Sequence, residues 1–297
     1  MLPRLLVLLF ASLFATSALA AAAAKDLGVG VYLGVHSPAL EDLNDGEFKS
    51  PIGGFATVFT DSGNNQQIAL NFQNPLPDIE MGANGGLELQ WLLNKDYSFL
   101  FGGSTWEATS RAVAAGGFYI QGAPADVINE RVAKLSYNEF YFGLKRNIVD
   151  VDNKYKLYYR LTLNEVFDVD FREDMVFLYT SGKAVGVKKT IVLQSQATGL
   201  LMLQPGFGSE YFFSDWFSVG VDASYVIGLK PLTLRDGSSN TNFLPTDNLT
   251  FWLPQKLGTT SGNLEYLNHD FEKIDDYTTI KLNFDGLKLL FKMNIYF

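Results

Sequence analysis

Two histidines are the first residues in this sequence that suggest catalysis. His36 stands beside Ser37, and His269 lies near Ser261, Asp270 and Glu272, so a hydroxyl nucleophile, an imidazole base and an acid to orient it are all present. That set performs acyl transfer, and on the rim of a membrane protein it would hydrolyse lipid. Nothing local assembles it: no Gly-x-Ser-x-Gly elbow holds a serine on a strained turn, and no spacing makes the residues meet. Asp270, Glu272, Asp275 and Asp276 offer oxygen ligands for a hard cation. Without EF-hand spacing or a histidine pair, the run reads as a solvated acidic loop, and no metal or cofactor is expected. Gly28, Gly30 and Gly34 do not make a phosphate loop, because side-chain alternation continues through them and no helix follows. Their expected role is to leave room inside a narrow structure.

A larger set of ionisable residues is defined by the face it occupies. Glu88, Glu139, Glu210 and Asp222, with Lys145, Lys156, Arg160, Lys288 and Lys292, all fall on the polar side of stretches whose alternate residues are apolar. Alternation with period two is the signature of a strand with unlike faces. It is clearest where Tyr155, Leu157, Tyr159, Leu161 and Leu163 face one way and Lys156, Tyr158, Arg160, Thr162 and Asn164 the other. The charges nearly cancel. Counted from their turns, Glu88, Arg160, Asp222, Glu210 and Lys292 lie at similar depths, which predicts one shared layer. Enclosed opposite charges pair, since a lone one carries a large desolvation cost. The expected result is a plugged interior; the alternative is a charged pore lining or a proton-linked gate.

Three short-turn hairpins carry these faces. The first joins Leu87–Leu93 to Tyr97–Phe101 through Asn94-Lys95-Asp96. The second joins Glu139–Lys145 to Lys154–Phe171 through Asp150–Asn153, and the third joins Leu201–Phe213 to Phe217–Ile227 through Ser214-Asp215-Trp216. An opening strand bears Leu27, Val29, Val31, Leu33 and Val35 on one side. A closing strand bears Leu287, Leu289, Phe291, Met293, Ile295 and Phe297 opposite Lys288, Lys292, Asn294 and Tyr296. An apolar outside with a charged inside suits lipid, which cannot satisfy an open sheet edge, so the fold class is all-β: a closed antiparallel transmembrane barrel. Eight strands are expected, with ten to twelve as the alternative, because Ile52–Thr60, Gln67–Phe72, Met175–Tyr179 and Thr190–Leu193 also have strand character. Ser37–Glu80, Arg111–Arg131, Arg172–Ser195 and Lys230–Asp276 are expected as long extracellular loops.

Aromatics near the short-turn ends (Trp91, Tyr97, Tyr155, Tyr211, Phe213, Trp216, Phe217, Tyr296 and Phe297) predict an interfacial girdle. The net charge of −9 and the lack of a basic block exclude nucleic acid as a partner. Cysteine is absent, so there is no disulfide framework. Residues 1–20 read as a signal peptide: Arg4, an apolar run from Leu5 to Phe14, and Ala18-Leu19-Ala20 before the cut, leaving a barrel domain over 21–297.

With its leader, alternating strands, short turns and closing Asp285-Gly286-Leu287 to Tyr296-Phe297, the sequence resembles the small Gram-negative outer-membrane β-barrels of the OmpA transmembrane-domain, OmpW and opacity-like, porin-like superfamily. The resemblance implies an outer-membrane location, lipid and lipopolysaccharide as surroundings, and Phe291, Met293, Ile295 and Phe297 as the signal read by the barrel assembly machinery. It also implies a monomer. It names an architecture rather than an activity. A structural or surface-interaction role through long loops is expected first, a narrow channel for small or hydrophobic solutes second, and a rim lipid hydrolase third. The OmpA pattern continues into a cell-wall-binding domain, which is not expected here.

Overall fold

The computed structural model describes residues 26–50, 52–59, 63, 65–252, 255–257, 264–267 and 277–297. The expected signal peptide and the group Ser261, His269, Asp270, Glu272, Asp275 and Asp276 lie outside them. In chain order the strands are β1 (Leu27–Pro38), β2 (Ile52–Phe59), β3 (Asn65–Phe72), β4 (Gly82–Leu92), β5 (Tyr97–Ile120), β6 (Ala123–Val151), β7 (Tyr155–Tyr179), β8 (Lys188–Ala197) and β9 (Leu200–Ser214). They continue with β10 (Phe217–Gly228), β11 (Leu232–Thr233), β12 (Arg235–Thr241), β13 (Leu249–Trp252), β14 (Gln255–Leu257), β15 (Leu264–Leu267), β16 (Tyr277–Thr279), β17 (Lys281–Leu282) and β18 (Gly286–Tyr296).

Eight of them close a ring in the order β1, β4, β5, β6, β7, β9, β10, β18 and back to β1, every neighbour antiparallel. The seam between first and last strands is continuous from Gly28 opposite Tyr296 to Pro38 opposite Gly286. No edge is left to lipid around this ring, which is what a membrane-spanning sheet requires. Val31, Leu33, Leu87, Phe101, Phe142, Leu161, Phe207, Val221 and Phe291 are all exposed on its outer surface. An apolar belt of that extent would aggregate in water, and it is suited to hydrocarbon.

Three strands are much longer than the ring needs. At about 3.3 Å per residue, the 24, 29 and 25 residues of β5, β6 and β7 far exceed an apolar band of about 25 Å, even when tilted. Arg111–Arg131, expected as a loop, is therefore a tall hairpin. It turns through Gln121 and Gly122, both at positive φ, the two-residue geometry that matches strand twist. Arg172–Ser195 is likewise mostly strand: the upper half of β7 leaves β9 and pairs with β8, which pairs with β12. The β2–β3 pair and β13 form a separate small sheet outside the ring, so the additional strands enlarge the part above the lumen and not the barrel.

Where the barrel ends, the strands exchange their faces. Along β6 the inward row Lys145, Tyr141 and Glu139 continues upward as Tyr137, Leu135 and Ala133, all buried, while the outward row changes from Leu144, Phe142 and Phe140 to Ser136 and Lys134. The polar side faces in below the boundary and out above it. Strand β7 crosses the boundary with a bulge: Tyr137 pairs with Val169 and Glu139 with Val166, so Phe167 and Asp168 oppose Asn138 alone. The added residue shifts the parity of β7, so that Arg160, Thr162 and Asn164 point into the lumen and Val169, Phe171 and Met175 into a core.

Two apolar cores stand above the lumen. The first caps it: Leu40, and Leu43 and Phe48 on short helical turns at Asp42–Gly46 and Glu47–Lys49, pack with Leu76 and Ile79 onto Trp106, Tyr137, Phe171, Leu282 and Phe284. Each Leu or Phe so buried stabilises the closure by about 1.5–3 kcal/mol. The second lies between the small sheet and the tall strands, joining Ile52, Ala56, Leu70 and Phe72 to Phe118, Val127, Phe177 and Ile191. The part above the lumen is thus a folded head, which residues 37–50 and 73–80 strap down.

Candidate functional site: a charge-filled lumen

Four cations and four carboxylates fill the barrel, none more than 4 % exposed. They stack in three groups along its axis. Nearest the short turns, Lys145 Nζ lies 2.7 Å from Glu210 Oε2 and donates to Gln90 Oε1 at 3.2 Å. The other oxygen of Glu210 accepts from Tyr296 at 2.5 Å, from Asn294 at 2.9 Å and from Ser218.

The middle group is a square. Arg160 reaches Glu88 at 3.1 Å and Asp222 at 2.5 Å, and Lys292 reaches the same two carboxylates at 2.9 and 2.5 Å. Tyr141 donates to Glu88 at 3.0 Å, and Tyr158 donates to Asp222. Above it Lys288 meets Glu139 at 2.6 Å; that carboxylate also accepts from Ser104 at 2.6 Å and Asn164 at 2.9 Å. Asn164 continues to Gln204, and Gln204 to Ser224.

An eight-stranded barrel has room for little more than its own side chains. Enclosing eight charges is tolerable here because each sits against an opposite charge and because tyrosine, serine and amide groups take up other carboxylate oxygens. Space for the long side chains comes from small neighbours. A Cβ on Gly102 would run into the Tyr141 ring and the Leu87 carbonyl. Gly102→Val is expected to push Tyr141 off Glu88 and destabilise the barrel by about 1–3 kcal/mol. The measurement is the temperature at which the folded band on an unheated gel converts to the unfolded one; an unchanged transition would mean that Tyr141 has room to yield.

The expected single layer resolves into two. Glu88, Arg160, Asp222 and Lys292 do come together, but Glu210 belongs one step lower with Lys145. Glu139 and Lys288 form the upper pair. Lys156 is a correction: it lies at the lower mouth, 3.9 Å from Asp150 and above the Phe212 ring, outside the buried network. Its proximity to the turn gives it water that the deeper cations lack. Tyr296 is another, since it points into the lumen rather than joining the girdle, where Trp91, Tyr211, Phe213 and Trp216 do face outward. Phe291, Met293 and Ile295 line the outer face of β18, and Phe297 just beyond it is exposed as well.

The tyrosines and amides that complete the network carry no charge to single them out. Their signal is parity alone: Tyr141, Tyr158, Asn164, Gln204 and Asn294 share faces with the ionic residues. His36 ends away from the rim, fully buried, with Nδ1 2.9 Å from the Tyr137 hydroxyl. Ser37 beside it turns outward and donates to the Glu80 carbonyl. The adjacent pair is therefore split between inside and outside, and no nucleophile–base contact exists between them.

A vestibule of about 240 Å³ opens at the lower mouth between Gln90, Asn147, Lys156, Phe212, Asp215 and Tyr296, and it ends on the Lys145–Glu210 pair. The overall form is an outer-membrane-type β-barrel: closed, antiparallel, apolar outside and ionic within.

No protein-family model matches the sequence, and no curated protein does. Solved structures of similar form include CarO2 of Acinetobacter baumannii, at 12% identity and a TM-score of 0.36 over 84% of this chain and 99% of that one. The outer membrane protease OmpT from Escherichia coli aligns at 9% identity and a TM-score of 0.33 over 91% and 97% of the two chains. The COG4313 outer membrane channel from Pseudomonas putida F1 aligns at 8% identity and 0.25 over 93% and 97%.

Proposed function

We propose that this chain is a structural or surface-interaction protein of the Gram-negative outer membrane: a plugged barrel that anchors a folded head outside the cell. The observation that carries this reading is the ion-paired stack beneath an apolar cap. A solute would have to break the Arg160–Glu88–Lys292–Asp222 square and then displace Leu40, Leu43 and Phe48. On this reading the lumen supplies stability, the head supplies contact, and lipid and lipopolysaccharide surround the belt. The assembly machinery would read the closing strand through Phe291, Met293, Ile295 and Phe297. A monomer suffices, because the ring closes within one chain.

A narrow channel is the second reading, favoured by the vestibule at the lower mouth. The two readings separate in a planar bilayer. The purified full chain should give no reproducible unitary current at either polarity, while protease added outside intact cells should meet the head. Steady ion-selective steps from the folded chain would overturn the plug and leave the channel.

A further inference from the structure

His36 lies at the seam between the ionic lumen and the apolar cap. Its ring is wedged edge-on against Trp106 and Tyr137, each with its centroid 6.1 Å away, and the Trp106 indole donates to the His36 carbonyl at 3.2 Å. The Tyr137 hydroxyl takes up Nδ1, whereas Nε2 is buried and makes no hydrogen bond of ordinary length among the described residues, the Phe284 backbone being the acceptor that favours a proton on the ring. Lys288 stands opposite His36 in register on β18, and Glu139 and Tyr137 approach from β6. Strand β4 offers only Gly82 and Asn84 nearby, β5 offers Trp106, and the segment before β18 offers Phe284 of the cap. Glu139, the carboxylate on this side, is already engaged by Lys288, Ser104 and Asn164.

We propose that His36 is an acid-sensitive latch: a proton on its ring releases the cap, residues 39–50 with 280–284, from the mouth of the barrel. The neutral ring fits its site, fully buried, with Nδ1 bonded to Tyr137 and the ring edge-on to two aromatics. Protonation would place a fifth cation where four already match four carboxylates, beside the ammonium of Lys288, with the Phe284 backbone as its acceptor but no carboxylate free to balance it. Water admitted by an opened cap would solvate that charge, so opening and protonation favour one another. An imidazole in water titrates near pH ~6.5. Closure is therefore complete above that value and weakens by up to about tenfold per pH unit below it. The acid-opened mouth would present the stacked aromatic pair of Trp106 and Tyr137 at the cell surface.

The test uses the full chain in lipid nanodiscs, with deuterium uptake of residues 39–50 corrected for intrinsic exchange between about pH 7.5 and 5. Protection should fall at least ~tenfold over that range. The chain has 2 histidines, so labelled imidazole resonances follow His36 directly, and its titration should share the midpoint of cap loosening. His36→Gln, which can still bond Tyr137 but takes no proton, should abolish the fall. The same fall in His36→Gln, or undiminished protection in the parent chain at the acid end, would overturn the latch. Should His36→Gln fail to assemble, the parent chain alone decides: His36 titrating while the cap stays protected overturns it equally.

Discussion

Arg160→Ala should lower the barrel's stability by about 3–5 kcal/mol, the cost of removing one partner from a buried ionic set. Arg160 is 4 % exposed and bridges Glu88 to Asp222, so its loss leaves two carboxylates facing one another with Lys292 alone between them. Tyr141 and Tyr158 can still donate to those carboxylates, but their neutral hydroxyls cannot replace the missing positive charge. The folded band on an unheated gel should therefore convert at a clearly lower temperature. Conductance should hardly rise, since the Lys145–Glu210 pair below and the Lys288–Glu139 pair above still block the axis. A variant that conducts strongly while melting like its parent would show that Arg160 is a gate rather than a structural tie.

Much of this arrangement is written locally. Side-chain parity is exact along a strand, so Glu88, Glu139, Lys145, Arg160, Glu210, Asp222, Lys288 and Lys292 could be assigned to the lumen from neighbours such as Leu87, Phe140 and Phe291. The eight-strand ring followed from counting such runs between short turns. Depth was harder. Glu210 and Asp222 are similarly far from their shared turn, but a register shift beside Phe217 and the stagger between strands set them in different layers, which residue counting cannot supply. Lys156 has the same parity as Arg160 but sits close enough to the mouth to keep water.

The head was hidden for a different reason. Its strands continue those of the barrel, and above Asn138 the polar and apolar faces change places, so the row Ala133, Leu135 and Tyr137 ends the lipid-facing pattern and Arg111–Arg131 beyond it reads as loop. The Gln121-Gly122 turn added to this, because glutamine is an unusual residue at positive φ and gives a weak hairpin signal. His36 was legible as a titratable group but not as a buried one, since its environment is built by Trp106, Tyr137 and Phe284 from distant parts of the chain.

The head contains its own ionic tie, and breaking it should separate the two halves of the molecule energetically. Arg131 is fully buried; its Nε lies 2.6 Å from Glu173, a terminal nitrogen lies 3.4 Å from Glu47, and its other contacts are the carbonyls of Asn74 at 2.9 Å and Ser50 at 3.3 Å. Burial alone would favour loss of its charge, but Glu173 and Glu47 outweigh this and hold the guanidinium above its usual range. The side chain therefore fastens the strap to β6 and β7 at both ends of the β2–β3 insertion. Arg131→Ala leaves two enclosed carboxylates and should cost the head about 3–5 kcal/mol. Trypsin should then cut after Lys49, where the backbone is otherwise held by a short helical turn and the buried Ser50, at least ~100-fold faster if cleavage follows the opened population. The thermal transition of the barrel should hardly move, because Arg131 lies above the ring. Joint replacement of Arg131 by Met and of Glu47 and Glu173 by Leu should restore resistance to trypsin, as apolar packing commonly replaces a buried ionic triad without loss. If Arg131→Ala instead melts barrel and head together, the two are one cooperative unit and the strap is part of the barrel's own stability.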